Sequence, residues 1–97
     1  MGILYFIKDS DEFTKIGITK NLKRRLRELN CGVSNDLIVI KTFDLEHYKK
    51  IERFLQNLYI TYKVRGEWFN LSEEMLEDIY DRVELLDINF GEIRTSF

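Results

Sequence analysis

Four side chains of the types that bind phosphate or move protons form an ordered ladder along this 97-residue chain. Tyr5 comes first, in an apolar run. Lys15 follows ten residues later and opens the segment Lys15-Ile16-Gly17-Ile18-Thr19, and Arg25 lies ten residues beyond it. Glu52 stands further along. Phenols and carboxylates exchange protons, and ammonium and guanidinium groups pair with phosphate oxygens. Each residue also has a plainer reading. A tyrosine in an apolar strand is commonly a core residue with one satisfied hydroxyl. Arg25 and Lys15 fit a solvated basic face, and Glu52 fits an ordinary surface carboxylate.

The ladder needs elements that hold it. Residues 3–7 are a short apolar, aromatic run ending at the polar turn 9–12, which reads as a strand. Phe13 to Thr19 reads as a second strand, paired with the first as an antiparallel hairpin. Thr19 and Asn21 are both credible caps for a helix whose apolar face is Leu22, Leu26 and Leu29, stopped at Asn30-Cys31-Gly32. Leu37 to Phe43 predicts a buried central strand. Asp44 is placed to cap a second helix with the stripe Tyr48, Ile51, Leu55 and Leu58. Arg65 to Phe69 reads as a glycine turn entering an aromatic pair. Ser72 caps a third helix with Glu73 and Glu74 in its first turn. Residues 88–97 show no clear period, which predicts a short strand or a mobile tail. The expectation is one α/β (α+β) domain over residues 1–97, its core at about 3–72 and an acidic helix and tail at about 72–97. An antiparallel three-stranded sheet is flanked by helices, in the order β-β-α-β-α-(β)-α.

The net charge of -2 hides an asymmetry. Residues 1–66 carry thirteen Lys/Arg against eight Asp/Glu, and residues 67–97 carry two against nine. The basic part suits a polyanion and the acidic part does not. The cluster Lys20, Lys23, Arg24 and Arg27 reads equally as a solvated face or as a phosphate track. The acidic last helix is a candidate surface for a protein partner or a shield over the basic face. His47 reads as a capping or surface residue. A single cysteine, Cys31, gives neither an intrachain disulfide nor a thiolate zinc site, and is expected to be structural. No stretch is long and apolar enough for a membrane span, and the first residues do not read as a signal peptide, so an intracellular, cytoplasmic protein is expected.

The ordered set Ile3-Leu4-Tyr5, Lys15-Ile16-Gly17-Ile18-Thr19 and Asn21-Leu22-Lys23-Arg24-Arg25 resembles the GIY-YIG nuclease superfamily. The closer likeness is to a branch of phage, viral and bacterial proteins often labelled DNA-binding. That branch also carries Gly-Glu-Trp-Phe, here Gly66-Glu67-Trp68-Phe69. The resemblance spans roughly residues 3–72 and implies an endonuclease that hydrolyses DNA phosphodiesters with Mg²⁺ or Mn²⁺. Carried over residue by residue, it makes Glu52 the metal-binding carboxylate, Arg25 the phosphate-oxygen donor and Tyr5 the general base, with Lys15 as the cation that supports the phenolate. Asn70 matches a late asparagine of the family. Two departures stand out: Lys15 occupies the place of the family's second tyrosine, and Ile3-Leu4-Tyr5 replaces Gly-Ile-Tyr. They motivate the alternative of a DNA-binding module that is catalytically weak or inactive.

Overall fold

The computed structural model describes residues 1–29 and 37–95, with side chains up to Gly91. Strands β1 (Gly2–Lys8) and β2 (Thr14–Thr19) form the expected antiparallel hairpin, followed by helix α1 (Leu22–Glu28). Strand β3 (Ile38–Leu45) and helix α2 (Tyr48–Leu58) come next. A single 3-10 turn (Ile60–Tyr62) leads into β4 (Lys63–Arg65) and β5 (Trp68–Phe69), and the long helix α3 (Glu73–Thr95) ends the described chain. Cys31 and the proposed stop Asn30-Cys31-Gly32 lie outside the described residues.

The α+β class and the antiparallel pairing hold, but the sheet has five strands, not three, in the order β3-β1-β2-β5-β4. The additional pair is the glycine turn and its flanks. Gly66 sits at φ +48, in the left-handed region that glycine adopts without a Cβ penalty, and reverses the chain between β4 and β5. Strands of three and two residues are too short to show an alternating pattern.

The expected central strand is also corrected. β3 lies at the sheet edge, Ile38 is 61 % exposed, and the most buried strand is β1, paired on one side with β3 and on the other with the central strand β2. Leu4, Tyr5, Phe6 and Ile7 are all fully buried, because both faces of β1 are covered. On one face Leu4, Phe6 and Ile16 join Ile51 and Leu55 of α2 and Leu76, Ile79 and Val83 of α3 in the main core. Tyr5 and Ile7 point to the other face, since successive side chains of a strand alternate.

Local capping sets the helix starts. Asn21 caps α1, its side-chain oxygen accepting from the Arg24 N–H at 3.0 Å. Ser72 caps α3 by accepting from the Met75 N–H at 3.1 Å. Asp44 does not cap α2; it pairs with Ile3 inside β3. His47 occupies the N-cap position and is buried rather than exposed, with no side-chain capping bond. The carboxylate at this corner comes from α3: Asp87 accepts from the N–H groups of Glu46 and His47 at 3.1 and 2.7 Å. The strand or tail expected at residues 88–97 is instead helical as far as Thr95. Phe90 extends the stripe from Leu86 by one turn and packs edge-on against Phe54 at 6.3 Å between ring centroids.

Candidate functional site

The second face of the β1–β2 hairpin carries the site. Residues directly opposite in an antiparallel pair share a face. Tyr5 lies opposite Gly17, Ile7 opposite Lys15, Lys15 opposite Trp68, and Trp68 opposite Arg65. The pairing therefore ranks Tyr5, Gly17, Lys15, Trp68 and Arg65 across one surface. Gly17 is required by close approach: a Cβ there would overlap the ring and hydroxyl of Tyr5. The Tyr5 ring lies across the space that a side chain at position 17 would fill.

α1 then delivers Arg25. Asn21 fixes the start of the helix, and Arg25 lies one turn beyond it, its Nε donating to the Tyr5 hydroxyl at 3.2 Å. That hydrogen bond and the electrostatic influence of Tyr5, and to a smaller extent the charges of Glu28 and Glu67, hold the guanidinium above its ordinary pKa against the opposing effect of burial. The cation on the Tyr5 hydroxyl is thus Arg25. Lys15 turns elsewhere: its ammonium pairs with Glu67 at 2.9 Å and lies 5.7 Å from the centre of the Trp68 ring.

α2 covers the part of the β2 edge that β5 is too short to reach. The Ile16 N–H donates to the Glu67 carbonyl at 3.1 Å, and the Ile16 carbonyl accepts from Gln56 Nε2 at the same distance. Glu52 lies one turn before Gln56, on the same side of α2. Its carboxyl is pushed up to about 7, chiefly because burial disfavours the charged form and then because of the negative charge of Glu67. Lys15 and Arg53 oppose that shift without cancelling it.

The structure thus joins four of the sequence-derived residues. Tyr5 and Arg25 touch, while Lys15 and Glu52 interact electrostatically around Glu67. Asn70 stands apart. It is exposed, its N–H donates to the Tyr62 carbonyl, and among the described residues its side chain has no hydrogen bond to the other four. Lys20, Lys23, Arg24 and Arg27 are exposed on and before α1. Lys20 also lines a cavity of about 200 Å³ with Lys49 and Lys50 at the start of α2. Glu67 is the site residue that sequence reasoning passed over. Its signal lay in Gly66-Glu67-Trp68-Phe69, where the aromatic pair drew attention and the carboxylate did not.

Among the described residues no three His, Cys, Asp or Glu side chains are grouped to hold a metal ion, and no helix is long and apolar enough to cross a membrane. The donor set that does exist is one half-buried carboxylate, Glu52, with a second, Glu67, in electrostatic reach. A carboxylate raised by burial and a like charge gains from a cation beside it. This suits a hard divalent ion that keeps most of its shell for water and phosphate.

A small antiparallel α+β domain with a tyrosine–arginine pair beside mixed carboxylates and a basic helix is the class that fold and site define. The chain belongs to the T5orf172 domain family, whose profile matches residues 2–84. It is also similar to "Uncharacterized protein 460R" of Invertebrate iridescent virus 6, at 32% identity over 65 residues, or 65% of this chain. The match spans 30% of that viral protein's length. No solved structure matches.

Proposed function

We propose that this domain is a GIY-YIG-type endonuclease that hydrolyses DNA phosphodiester bonds. The observation that carries the reading is the Arg25–Tyr5 hydrogen bond over Gly17, with the raised carboxyl of Glu52 on the neighbouring helix. Membership of the T5orf172 family supports a nuclease or DNA-binding role.

The residues divide the work by chemistry. Arg25 presents a planar fork of donors to phosphoryl oxygens and stabilises the charge that builds there. Tyr5, whose hydroxyl accepts from Arg25, is the general base for an attacking water in this reading; it is fully buried in the free domain, so the role requires the site to open as DNA binds. Glu52 would hold Mg²⁺ or Mn²⁺. The ion would polarise the phosphoryl group and stabilise the departing oxygen. Lys20, Lys23, Arg24 and Arg27 line the approach as phosphate contacts of the flanking duplex.

The test is incubation of purified protein with supercoiled plasmid and each metal. Metal-dependent nicking that falls at least about 100-fold in Arg25→Ala is expected, the scale of losing a transition-state donor. No nicking by the wild type, or equal nicking by the variant, rejects the reading. One observation favours the second reading, a DNA-binding module: Lys15 stands in the place of a family tyrosine and is already engaged by Glu67. A mobility shift without nicking, weakening steeply with salt, is its expected signature.

A further inference from the structure

The Lys15–Glu67 pair is asymmetric. The Lys15 side chain is only 11% exposed, fixed on a central part of the sheet between β1 and β5 and close to the Trp68 ring. The Glu67 side chain is 40% exposed and stands in the Gly66 turn, the least enclosed part of the sheet. If the pair opens, the carboxylate can swing into water and the ammonium cannot follow it. A nearly buried ammonium needs a counter-charge, so something anionic must then replace Glu67.

We infer that the Glu67 carboxylate marks a phosphate subsite: a phosphodiester oxygen of the nucleic acid takes its place on Lys15, and Glu67 swings out as an exchangeable internal anion. The geometry for this is already present. Glu67 Oε1 lies 2.9 Å from Lys15 Nζ, the distance of a charge-assisted hydrogen bond to a phosphate oxygen. The same carboxylate is felt by Arg25. Glu67 pairs directly with Lys15 alone, and Arg25 feels it only as a minor influence, so the anion position belongs to Lys15 with the Arg25 charge nearby. Lys15 accordingly binds the substrate strand, in a role different from that of the tyrosine it replaces. The inference rests on nucleic acid being the ligand, as in the proposed function.

Fluorescence anisotropy with a labelled DNA duplex, titrated at several KCl concentrations, tests the exchange. The pH is held at 8, above the wild-type Glu52 value of about 7, and EDTA excludes metal. Glu67→Gln removes the competing charge and keeps the side-chain volume. It is expected to tighten binding about five-fold, the scale of one unit charge a few ångströms away in a water-like medium. Lys15→Gln is expected to weaken binding and lower the slope of log K against log salt by about one. In Lys15→Gln, the further change Glu67→Gln should give less than half of its gain, because the residue whose release matters is absent. Thermal melts confirm that each variant folds, and Lys15→Met serves in place of Lys15→Gln if that variant does not. Unchanged or weaker binding by Glu67→Gln overturns the inference, as does a full gain in the Lys15 background or no binding by the wild type at low salt. A wild type that binds with this pattern but does not nick plasmid supports the exchange and rejects hydrolysis. A wild type that nicks while Glu67→Gln fails to tighten binding rejects the exchange alone.

Discussion

Replacing Glu52 with glutamine separates what this carboxylate costs the fold from what it supplies to the site. In the folded domain its pKa stands at about 7, against an ordinary 4.5. Between those values the folded state keeps a proton that the unfolded chain has released. Stability therefore falls as pH rises through this window, and above about 7 the whole cost is felt. Taken at face value, a shift of about 2.5 pH units at 1.36 kcal/mol per unit is roughly 3.4 kcal/mol. Glu52 is only half-buried, and solvent screening reduces the figure to about 1–2 kcal/mol. Glutamine keeps the volume without the charge. Glu52→Gln should match the wild type below pH 4.5 and exceed it by about 1–2 kcal/mol at pH 8. For a domain of this size that is an increase of roughly 5–15 °C in Tm.

The assay is a set of thermal melts of both proteins from pH 4 to 9, read as the difference between them, so that the other carboxylates cancel. Adding millimolar Mg²⁺ at pH 8 should then raise the wild-type Tm and leave Glu52→Gln unchanged, since an ion bound only by the folded state stabilises it. Parallel pH profiles, or a wild type that gains on the variant as pH rises, would refute the reasoning. Either result would mean that the Glu52 carboxylate is solvated or better neutralised by Lys15 than its surroundings indicate.

Two further changes probe the same sheet. Gly17→Ala drives a methyl group into the Tyr5 ring. It should cost about 1–3 kcal/mol in chemical denaturation and lower nicking through displacement of the Tyr5–Arg25 pair, whereas unchanged stability would show that the ring has room to move. Thr14 is fully buried and its hydroxyl has no hydrogen-bond partner among the described residues. Thr14→Val should therefore stabilise the domain by about 1–2 kcal/mol, and a loss of stability in urea melts would mean that the hydroxyl is satisfied.

Local patterns were the legible part of the fold. The β1–β2 hairpin, the Asn21 and Ser72 caps and the buried stripes of α2 and α3 all rest on signals within a few residues of one another, although Leu58, expected to continue the α2 stripe, is 57% exposed at the end of that helix. What escaped rests on distant partners or on short elements. Asp44 reads as a cap because a carboxylate just before a helix usually is one. The carboxylate actually used, Asp87, comes from more than forty residues later. The run 37–43 is apolar enough for a central strand, yet position in a sheet depends on which neighbours cover it. β1, no richer in apolar residues, is the buried interior strand because it has a partner strand on each side, α1 approaches one face and α2 and α3 pack on the other.

The same division runs through the candidate site. The placing of Tyr5, Lys15 and Arg25 on β1, β2 and α1 was legible because strand and helix signals are local, whereas the packing of Tyr5 over Gly17 follows from a pairing register that only the folded hairpin shows. Glu67 was hidden because nothing near it in sequence gives a lone carboxylate in a glycine turn a partner. Its partner, Lys15, lies 52 residues away and meets it only through the two-residue strand β5. A tyrosine at position 15 would carry no charge for Glu67 to neutralise. The lysine makes the turn part of the site, so the departure from the GIY-YIG-like pattern and the overlooked carboxylate are one feature, the Lys15–Glu67 pair between β2 and the Gly66 turn, which in the proposed exchange holds its place until a phosphate arrives.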